Sequence, residues 1–338
     1  MNVLVTGGAG YIGSHTVRML EKAGHRAIVY DDLSKGHRAA VKNSVFVQGS
    51  LFDSRLLAET IRRHAIDAVI HFAAFSCVGE SMEKPQEYYH NNVEGSLNLF
   101  EAMVAEGVGT LVFSSTAAVY GEPETTPITE DMAKNPTNVY GRTKLAVETA
   151  LAEQYSRVYG LKYITLRYFN ACGADAAGDI GEDHDPETHL VPLILQACLG
   201  KRSGIKIFGT DYSTPDGTCI RDYIHVNDLA AAHLLALDAL AGGHRSDVYN
   251  LGNGQGFSVQ EVIDAAEAVS GRSVRRELAG PRAGDPAVLI AGAAKIRREL
   301  GWKPEYTDMK DIIGTAWRWH LAHPDGYGDK REDLGCRN

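Results

Sequence analysis

A tyrosine and a lysine stand four residues apart at Tyr140 and Lys144, in the segment YGRTK. Side chains at this spacing share one face of a helix, so the two are neighbours if the segment is helical. A tyrosine ionises near pH 10, and lowering its pKa to about 7 requires roughly 4 kcal/mol. A cation about 4 Å away in a partly screened site supplies on the order of 4 kcal/mol. The pair predicts an acid–base site, although the spacing taken alone is more typical of an exposed pair on an amphipathic helix.

A segment rich in serine and threonine, 113–116, follows an apolar stretch that predicts a strand. The carboxyl ends of strands form the ligand-binding edge of open α/β sheets. A hydroxyl at Thr116 can therefore pass a proton between a substrate and Tyr140. Capping of the strand end is the alternative role, and it suits Ser114 and Ser115 as well as catalysis does.

Three glycines, Gly7, Gly10 and Gly13, are spaced three apart in the segment TGGAGYIG, between a predicted first strand and first helix. Glycines at these positions allow a tight turn, close approach of the backbone to a pyrophosphate, and tight packing of helix on strand. The helix N-terminus offers free N–H groups and partial positive charge to phosphates. The loop predicts dinucleotide binding, and it favours the acid–base interpretation of Tyr140 and Lys144.

Asp31 closes the predicted second strand, 18 residues after Gly13. A carboxylate at this point accepts hydrogen bonds from a ribose 2′-OH and repels a 2′-phosphate. Asp32 adds to that repulsion, whereas Lys35 and Arg38 weaken it. We therefore expect NAD rather than NADP as the cofactor, the alternative being that the two acids only shape the turn.

The composition limits the classes of function. The 338 residues are 44% hydrophobic and 23% charged, which is ordinary for a globular protein that buries a sizeable core. The formal net charge of −9 argues against a nucleic-acid partner, because phosphate backbones attract basic surfaces. Neither a signal peptide nor a membrane-spanning stretch is predicted, and the five cysteines contain no CxxC pair. We expect a cytoplasmic protein with reduced thiols and without a membrane partner.

Short apolar runs alternate with helical patterns through the first half of the chain. Strands are predicted at 3–6, 27–30, 45–47, 68–71, 110–114 and 163–167, and helices at 11–23, 54–64, 91–106 and 140–159. Strands separated by such helices form right-handed βαβ units. The expected fold class is α/β, with a Rossmann-like doubly wound parallel sheet.

The second half of the chain has weaker periodicity. Residues 171–217 are rich in glycine, proline, Asp and His, which indicates loops framing a site. A strand followed by a helix is predicted over 222–241, a strand at 248–251, and helices near 258–270, 293–300 and 308–320. We expect a dinucleotide-binding domain at 1–170, to which 222–252 returns, and a second, smaller mixed α/β substrate domain at 171–338.

Six segments together resemble the UDP-glucose 4-epimerase family of the extended short-chain dehydrogenases/reductases. They are 6–13, 113–121, 140–144, 166–170 (LRYFN), 216–226 (DGTCIRDYIHV) and 249–253 (YNLGN), and the likeness runs from Val3 to about Tyr327. The resemblance implies NAD-dependent interconversion of UDP-glucose and UDP-galactose. Tyr140 would take the proton of the sugar 4-OH while C4 gives hydride to NAD, and the 4-keto sugar would turn over before re-reduction. A homodimer formed by the helices at 91–106 and 140–159 is also implied.

The resemblance implies a set of site residues as well. Lys144 would hold the cofactor ribose and lower the pKa of Tyr140, with Thr116 as the third catalytic residue. The residues implied to bind NAD are Gly7, Gly10, Tyr11, Ile12, Gly13, Asp31, Asp32, Ser50, Leu51, Phe72, Ala73, Asn91, Tyr140, Lys144 and Tyr168. Those implied to bind the UDP-hexose are Ser76, Thr116, Tyr140, Asn170, His189, Leu190, Phe208, Arg221, Tyr223, Arg282, Asp285 and Leu289.

Three positions depart from the family's usual pattern. Ser50 stands where an Asp usually contacts adenine, so weaker binding of the cofactor is expected, and Ser76 stands where some members carry a cofactor-contacting Lys. Leu289 stands where some members have a bulky Tyr that excludes N-acetyl sugars. Turnover of UDP-N-acetylhexosamines is therefore a further hypothesis.

Other functions remain as alternatives. A nucleotide-sugar dehydratase usually carries an Asp-Glu pair directly after the position of Thr116, where this chain has Ala117 and Ala118. A UDP-xylose/UDP-arabinose 4-epimerase uses the same catalytic groups, and a non-catalytic nucleotide-binding regulatory protein often lacks the Tyr or the Lys. The acids and histidines of 181–189 indicate a loop framing the uracil, and we expect no metal because their spacing fits no common zinc motif.

Overall fold

The structure, a computed structural model, describes residues 1–281 and 286–329. Arg282 and Asp285, both predicted to contact the substrate, therefore lie outside the described residues. The strands of the described ranges are β1 (Asn2–Thr6), β2 (Arg26–Asp31), β3 (Val45–Gln48), β4 (Ala68–His71), β5 (Thr110–Thr116), β6 (Lys162–Tyr168), β7 (Asn170–Cys172), β8 (Ile205–Phe208), β9 (Ile220–His225), β10 (Asp247–Leu251), β11 (Gly256–Ser258), β12 (Arg276–Ala279) and β13 (Val288–Leu289).

Seven of these strands form one parallel sheet, in the order β10-β6-β5-β4-β1-β2-β3. Strand β1 pairs with β2 on one side and with β4 on the other, so the chain order reverses at this point. Open α/β sheets bind ligands outside the carboxyl ends of the strands at such a reversal. The predicted doubly wound parallel sheet is confirmed, and its reversal lies beside the glycine loop that follows β1.

The helices cover both faces of this sheet and build most of the second half of the chain. They are α1 (Tyr11–Lys22), α2 (Ser54–Arg63), α3 (Val78–Glu83), α4 (Pro85–Tyr88), α5 (Gly95–Ala105), α6 (Val139–Ala150), α7 (Arg157–Tyr159), α8 (Leu190–Cys198), α9 (Val226–Ala241), α10 (Val259–Ser270), α11 (Ala294–Leu300) and α12 (Met309–Ala322). Two π-helical segments, Tyr89–Glu94 and Leu151–Ser156, join α4 to α5 and α6 to α7. None of the helices in the described ranges combines the length and the apolar character needed to cross a bilayer.

Side chains of β1 alternate between two apolar clusters, one on each face of the main sheet. Val3 and Val5 pack with residues of α1 and α9, whereas Leu4 packs with residues of α2 and α5. Burial of each such side chain contributes roughly 1.5–3 kcal/mol. Because both faces are covered, the strands are continuous apolar runs, as parallel sheets require.

The second half of the chain builds two smaller sheets around a third apolar cluster. Strand β9 pairs with β7, β11 and β13, and β8 pairs with β12. Helices α8, α10 and α12 pack together behind them. Within the segment 222–252, β10 joins the main sheet through β6, whereas β9 belongs to the smaller sheet.

The prediction of loops throughout 171–217 is wrong, because α8 and β8 lie in this range. Helix α8 has the sequence LVPLILQAC, which is apolar on most sides and lacks the alternation of faces that marks a surface helix. The predicted helix at 91–106 also begins earlier, at Pro85, which occupies the first helical turn, where the lack of an N–H costs nothing.

Candidate active site

A cavity of about 1170 Å³ opens at the carboxyl ends of the main-sheet strands. Pockets for one small ligand typically enclose about 300–1,000 Å³, so this cavity has room for a cofactor and a second ligand. Its lining includes the glycine loop, the ends of β2, β5 and β6, and residues of α6 and α8. The cavity therefore lies at the reversal of strand order.

The glycine loop forms one wall of the cavity, and two of its glycines are required by packing. A Cβ added to Gly7, which has φ of 72°, would lie 2.5 Å from the backbone nitrogen of Ala73. A Cβ added to Gly13 would lie 2.2 Å from the carbonyl oxygen of Gly7. Helix α1 starts directly after Gly10, so its N-terminal N–H groups face the loop. This arrangement suits a pyrophosphate.

Asp31 supports the same loop through one carboxylate oxygen and the turn after β2 through the other. Oδ2 accepts a hydrogen bond from the N–H of Ala9 at 3.0 Å, and Oδ1 accepts one from the N–H of Leu33 at 2.9 Å. Burial of Asp31 raises its pKa to about 6, although these two hydrogen bonds oppose the shift. Each oxygen keeps a second lone pair for a ribose hydroxyl, and both Asp31 and Asp32 line the cavity.

Tyr140 and Lys144 both line the cavity, on the first turns of α6. The helix starts there because the side chain of Asn138 accepts a hydrogen bond from the N–H of Gly141 at 2.8 Å. Lys144 is buried, and its Nζ donates to the carbonyl oxygen of Ser114 at 2.9 Å. Burial lowers the pKa of Lys144 to about 7, against the opposing charge of Glu148.

The pKa of the Tyr140 phenol differs from the prediction. Burial raises its pKa to about 12, and only a hydrogen bond with Thr116 opposes this shift. The expected lowering by Lys144 is therefore not produced by these side chains alone, since the ammonium group donates to Ser114 instead. Bringing the pKa from about 12 to about 7 requires roughly 7 kcal/mol, more than one cation supplies.

Thr116 ends β5 beside Tyr140 and lines the cavity, as predicted. Its Oγ1 also accepts a hydrogen bond from the N–H of Ala118 at 3.1 Å, so the residue caps the following turn. The hydroxyl of Ser114 forms a short hydrogen bond with the hydroxyl of Tyr168. Ser114 thus orients a cavity-lining tyrosine rather than capping the strand.

A buried ion pair behind α6 was not predicted from the sequence. Glu148 lies one turn beyond Lys144, and its carboxylate binds the guanidinium of Arg167 through two contacts of 2.9 and 2.5 Å. It also accepts a hydrogen bond from the hydroxyl of Ser115 at 2.5 Å. Arg167 completes the network by donating to the hydroxyl of Tyr120 at 2.8 Å. The network ties α6 to β5 and β6 at the level of the cavity.

Asn92 is a second structural residue that sequence reasoning missed. Its buried amide bonds both backbone groups of Phe75, at 2.8 and 2.9 Å, and the hydroxyl of Thr143 at 3.2 Å. It therefore holds the loop after β4 against α6. Its neighbour Asn91, which was predicted to contact the cofactor, lines the cavity.

Nearly all other predicted residues meet at this cavity. Lining residues from the predicted sets also include Tyr11, Ile12, Ser50, Leu51, Phe72, Ala73, Ser76, Asn170, His189, Leu190, Phe208, Arg221 and Tyr223. Leu289 is different: it lies on β13 beside Arg221 and packs against the apolar group of Val119, Tyr120 and Ile128. It is not among the residues lining the cavity, and its contact with a sugar stays a prediction.

Comparison with known proteins agrees with this architecture. The model of the NAD dependent epimerase/dehydratase family matches residues 3–252. The UDP-glucose 4-epimerase of Halalkalibacterium halodurans is 52% identical over 98% of this chain and 99% of its own length. That of Lacticaseibacillus casei is 50% identical over 98% of this chain and 100% of its own length.

Solved structures of similar proteins have the same fold. A UDP-glucose 4-epimerase from Brucella ovis in complex with NAD is 49% identical and superposes with a TM-score of 0.92, covering 94% of this chain and 97% of that one. A UDP-glucose 4-epimerase from Bifidobacterium longum in complex with NAD⁺ and UDP is 37% identical, with a TM-score of 0.90, and covers 96% of this chain and 100% of that one. The chain belongs to the NAD dependent epimerase/dehydratase family, in the branch of the UDP-glucose 4-epimerases.

Proposed function

We propose that this chain interconverts UDP-glucose and UDP-galactose with a tightly held NAD. The observation that carries the proposal is that Thr116, Tyr140 and Lys144 converge in one cavity with the glycine loop. A hydroxyl, a phenol and an ammonium group at a dinucleotide site suit oxidation of a secondary alcohol. The full-length similarity to enzymes named UDP-glucose 4-epimerase supports this choice of substrate.

The residues that fit the cofactor are those of the glycine loop, with Asp31 and Asp32 at the ribose. NAD, when bound, supplies a hydride acceptor that returns the hydride to the same sugar carbon, and its oxidised ring adds positive charge. That charge matters, because lowering the pKa of Tyr140 from about 12 to near neutral requires roughly 7 kcal/mol, and a single cation about 4 Å away supplies on the order of 4 kcal/mol.

Tyr140 takes the proton from the 4-hydroxyl as the C–H bond breaks, and gives it back when the ketone is reduced on its other face. Thr116 hydrogen-bonds Tyr140 and passes the proton between the sugar oxygen and the phenol. Lys144, whose ammonium group donates to the carbonyl oxygen of Ser114, keeps the reacting groups in position. The net reaction inverts one carbon and consumes no cofactor.

The UDP group is proposed to lie against α8 and the small sheets. Arg221 suits the diphosphate because a guanidinium can bind two oxygens at once. His189 and Leu190, at the start of α8, frame the uracil, with Phe208 as an apolar contact. Asn170 and Tyr223 lie on the paired strands β7 and β9 and complete this side. We propose domain limits of 1–170 with 222–252 for NAD, except that β9 (Ile220–His225) belongs with the UDP-hexose domain, which takes the remainder of 171–338.

The decisive experiment is turnover without added cofactor. Purified protein should convert UDP-galactose to UDP-glucose. Ion-exchange chromatography that separates the two nucleotide sugars measures the conversion. Tyr140→Phe should lower turnover by at least about 100-fold while the protein still retains NAD, because general acid–base catalysis contributes about 10²–10⁴-fold. Near-normal turnover in Tyr140→Phe would remove the proposed role of the phenol.

We also propose a cytoplasmic homodimer. Val158 and Tyr159 are adjacent and exposed by 68% and 55% at the end of the helical region 140–159 that was predicted to form the interface, and Tyr89, just before 91–106, is exposed by 42%. Exposed apolar patches are typical of association surfaces. Cys77 and Cys172 carry free thiols, which fits a reducing compartment. Light scattering should give the mass of two chains, and Tyr159→Glu should lower it to one.

A further inference from the structure

Four acidic and histidine side chains converge in the loop before α8, although their spacing along the chain suggested no metal site. Glu182, His184, Glu187 and His189 each offer one ligand atom, and these atoms lie within 4.8 Å of one another. We propose that these four residues form a binding site for one divalent transition-metal ion of the zinc class. The proposal goes beyond the epimerase activity, and its site shares His189 with the proposed uracil contact.

The donor set suits zinc in type and nearly in geometry. Oε1 of Glu182 is 2.6 Å from Nδ1 of His189 and 3.3 Å from Nδ1 of His184. Zinc bonds of about 2.0–2.1 Å place tetrahedral ligand atoms about 3.3 Å apart, so the widest gap must close by about 1.5 Å and the 2.6 Å contact between Glu182 and His189 must open by about 0.7 Å. Rotation of side chains on a loop can supply that movement. Imidazole nitrogen and carboxylate oxygen are both ordinary ligands of Zn²⁺.

The second argument for a metal ion is the negative charge of the two glutamates. The carboxylates of Glu182 and Glu187 are only 4% and 6% exposed, and they share the same two imidazoles. Two buried negative charges are costly unless two positive charges balance them. Either two imidazolium protons or one dication meets that need.

The third argument is an imidazole nitrogen without a hydrogen bond. Nδ1 of His184 is buried and makes no hydrogen bond with good geometry, although it lies 3.3 Å from Glu182 and 3.8 Å from Glu187. It points between the two carboxylates, where a metal ion would sit. The ring of His184 also packs against Tyr11 at 6.2 Å, so the ion would lie in the wall of the main cavity, beside the start of α1.

Cobalt titration of untagged protein tests the proposal. Wild type should bind one equivalent of Co²⁺ with the intense visible absorption of a four-coordinate ion, and without the ultraviolet thiolate band that cysteine ligands would add. Zn²⁺, measured by competition with a chromophoric chelator, should displace it and raise the thermal midpoint, because an ion that binds only the folded state stabilises it. Absence of a one-equivalent spectrum, or a thiolate band, would overturn the proposal.

Variants locate the ion. His184→Gln should weaken Zn²⁺ binding at least about tenfold, since even indirect ligand partners are worth 10–100-fold. His90→Gln is the matched control: Nδ1 of His90 is 2.7 Å from Oε2 of Glu94, but within residues 1–281 and 286–329 no third His, Cys, Asp or Glu joins this exposed pair to form a possible metal site. The His90→Gln variant should bind Zn²⁺ as tightly as wild type does. If His184→Gln does not fold, Glu182→Gln replaces it. Equal binding by wild type and the site variant would refute the site.

Discussion

Glu148→Gln is expected to be among the most damaging single substitutions near the cavity. The two carboxylate oxygens accept three hydrogen bonds, from Ser115 and from two nitrogens of Arg167. The side chains of the ion pair are only 7% and 3% exposed, so water cannot replace the lost contacts. Removing one partner of a buried ion pair costs about 3–5 kcal/mol, because the other charge stays buried without compensation. That is a large share of a total stability of about 5–15 kcal/mol.

The substitution should also change the pH dependence of turnover. Burial lowers the pKa of Lys144 to about 7, and the charge of Glu148 holds it up. Without that charge the pKa falls further, so less Lys144 is protonated at neutral pH. The alkaline decline of turnover should therefore move to lower pH in Glu148→Gln.

Urea unfolding followed by circular dichroism measures the first effect, and a pH–rate profile measures the second. Glu153→Gln is the control, because Glu153 lies in the following π-helical segment and is exposed. The double variant Glu148→Leu with Arg167→Met should be more stable than Glu148→Gln, since it leaves no unpaired charge. The reasoning is refuted if Glu148→Gln unfolds within about 0.5 kcal/mol of wild type, the usual range for surface substitutions.

Three further predictions concern the cavity wall and strand β9, which contributes to it. Gly13→Ala should lower the amount of NAD that the purified protein retains, because the added Cβ would lie 2.2 Å from the carbonyl oxygen of Gly7. The ratio of absorbance at 260 nm to that at 280 nm measures the retained NAD. Gly109→Ala, which has open space around its Cβ, should retain as much NAD as wild type. Asp222→Asn should destabilise by about 1–3 kcal/mol in urea, because its carboxylate accepts three backbone N–H groups and an amide has one oxygen. Lys144→Met should slow turnover at pH 7 by orders of magnitude, and its turnover should rise with pH as the small ionised fraction of Tyr140 grows; a flat pH profile would contradict this.

Much of the site is predictable from the sequence because its signals are local. The glycine loop is a turn between one strand and one helix, and Tyr140 with Lys144 needs only one helical turn. The order of strands follows from alternating apolar runs and helices. These patterns place the cavity at the carboxyl edge of the sheet, where the structure has it.

The features that were missed depend on contacts between distant residues or on hidden periodicity. Glu148 meets Arg167 only because α6 packs on β6, and no local pattern marks that pair. Helix α8 is buried, so it lacks an amphipathic period. Burial raises the pKa of Tyr140, opposed by the hydrogen bond with Thr116, and burial cannot be recognised in a short motif.

The π-helical segment Tyr89–Glu94 lets one long helix present two surfaces that are out of phase. An extra residue in a turn rotates everything beyond it by about 100°. Within this segment Asn92 reaches the loop of Phe75, whereas downstream of it Leu99 and Phe100 face the core of the sheet. Deleting one residue here would restore a regular helix. Such a helix could keep either the Asn92 amide on Phe75 or Leu99 and Phe100 in the core, but not both. We therefore expect insertions and deletions in this segment to be tolerated less well than substitutions.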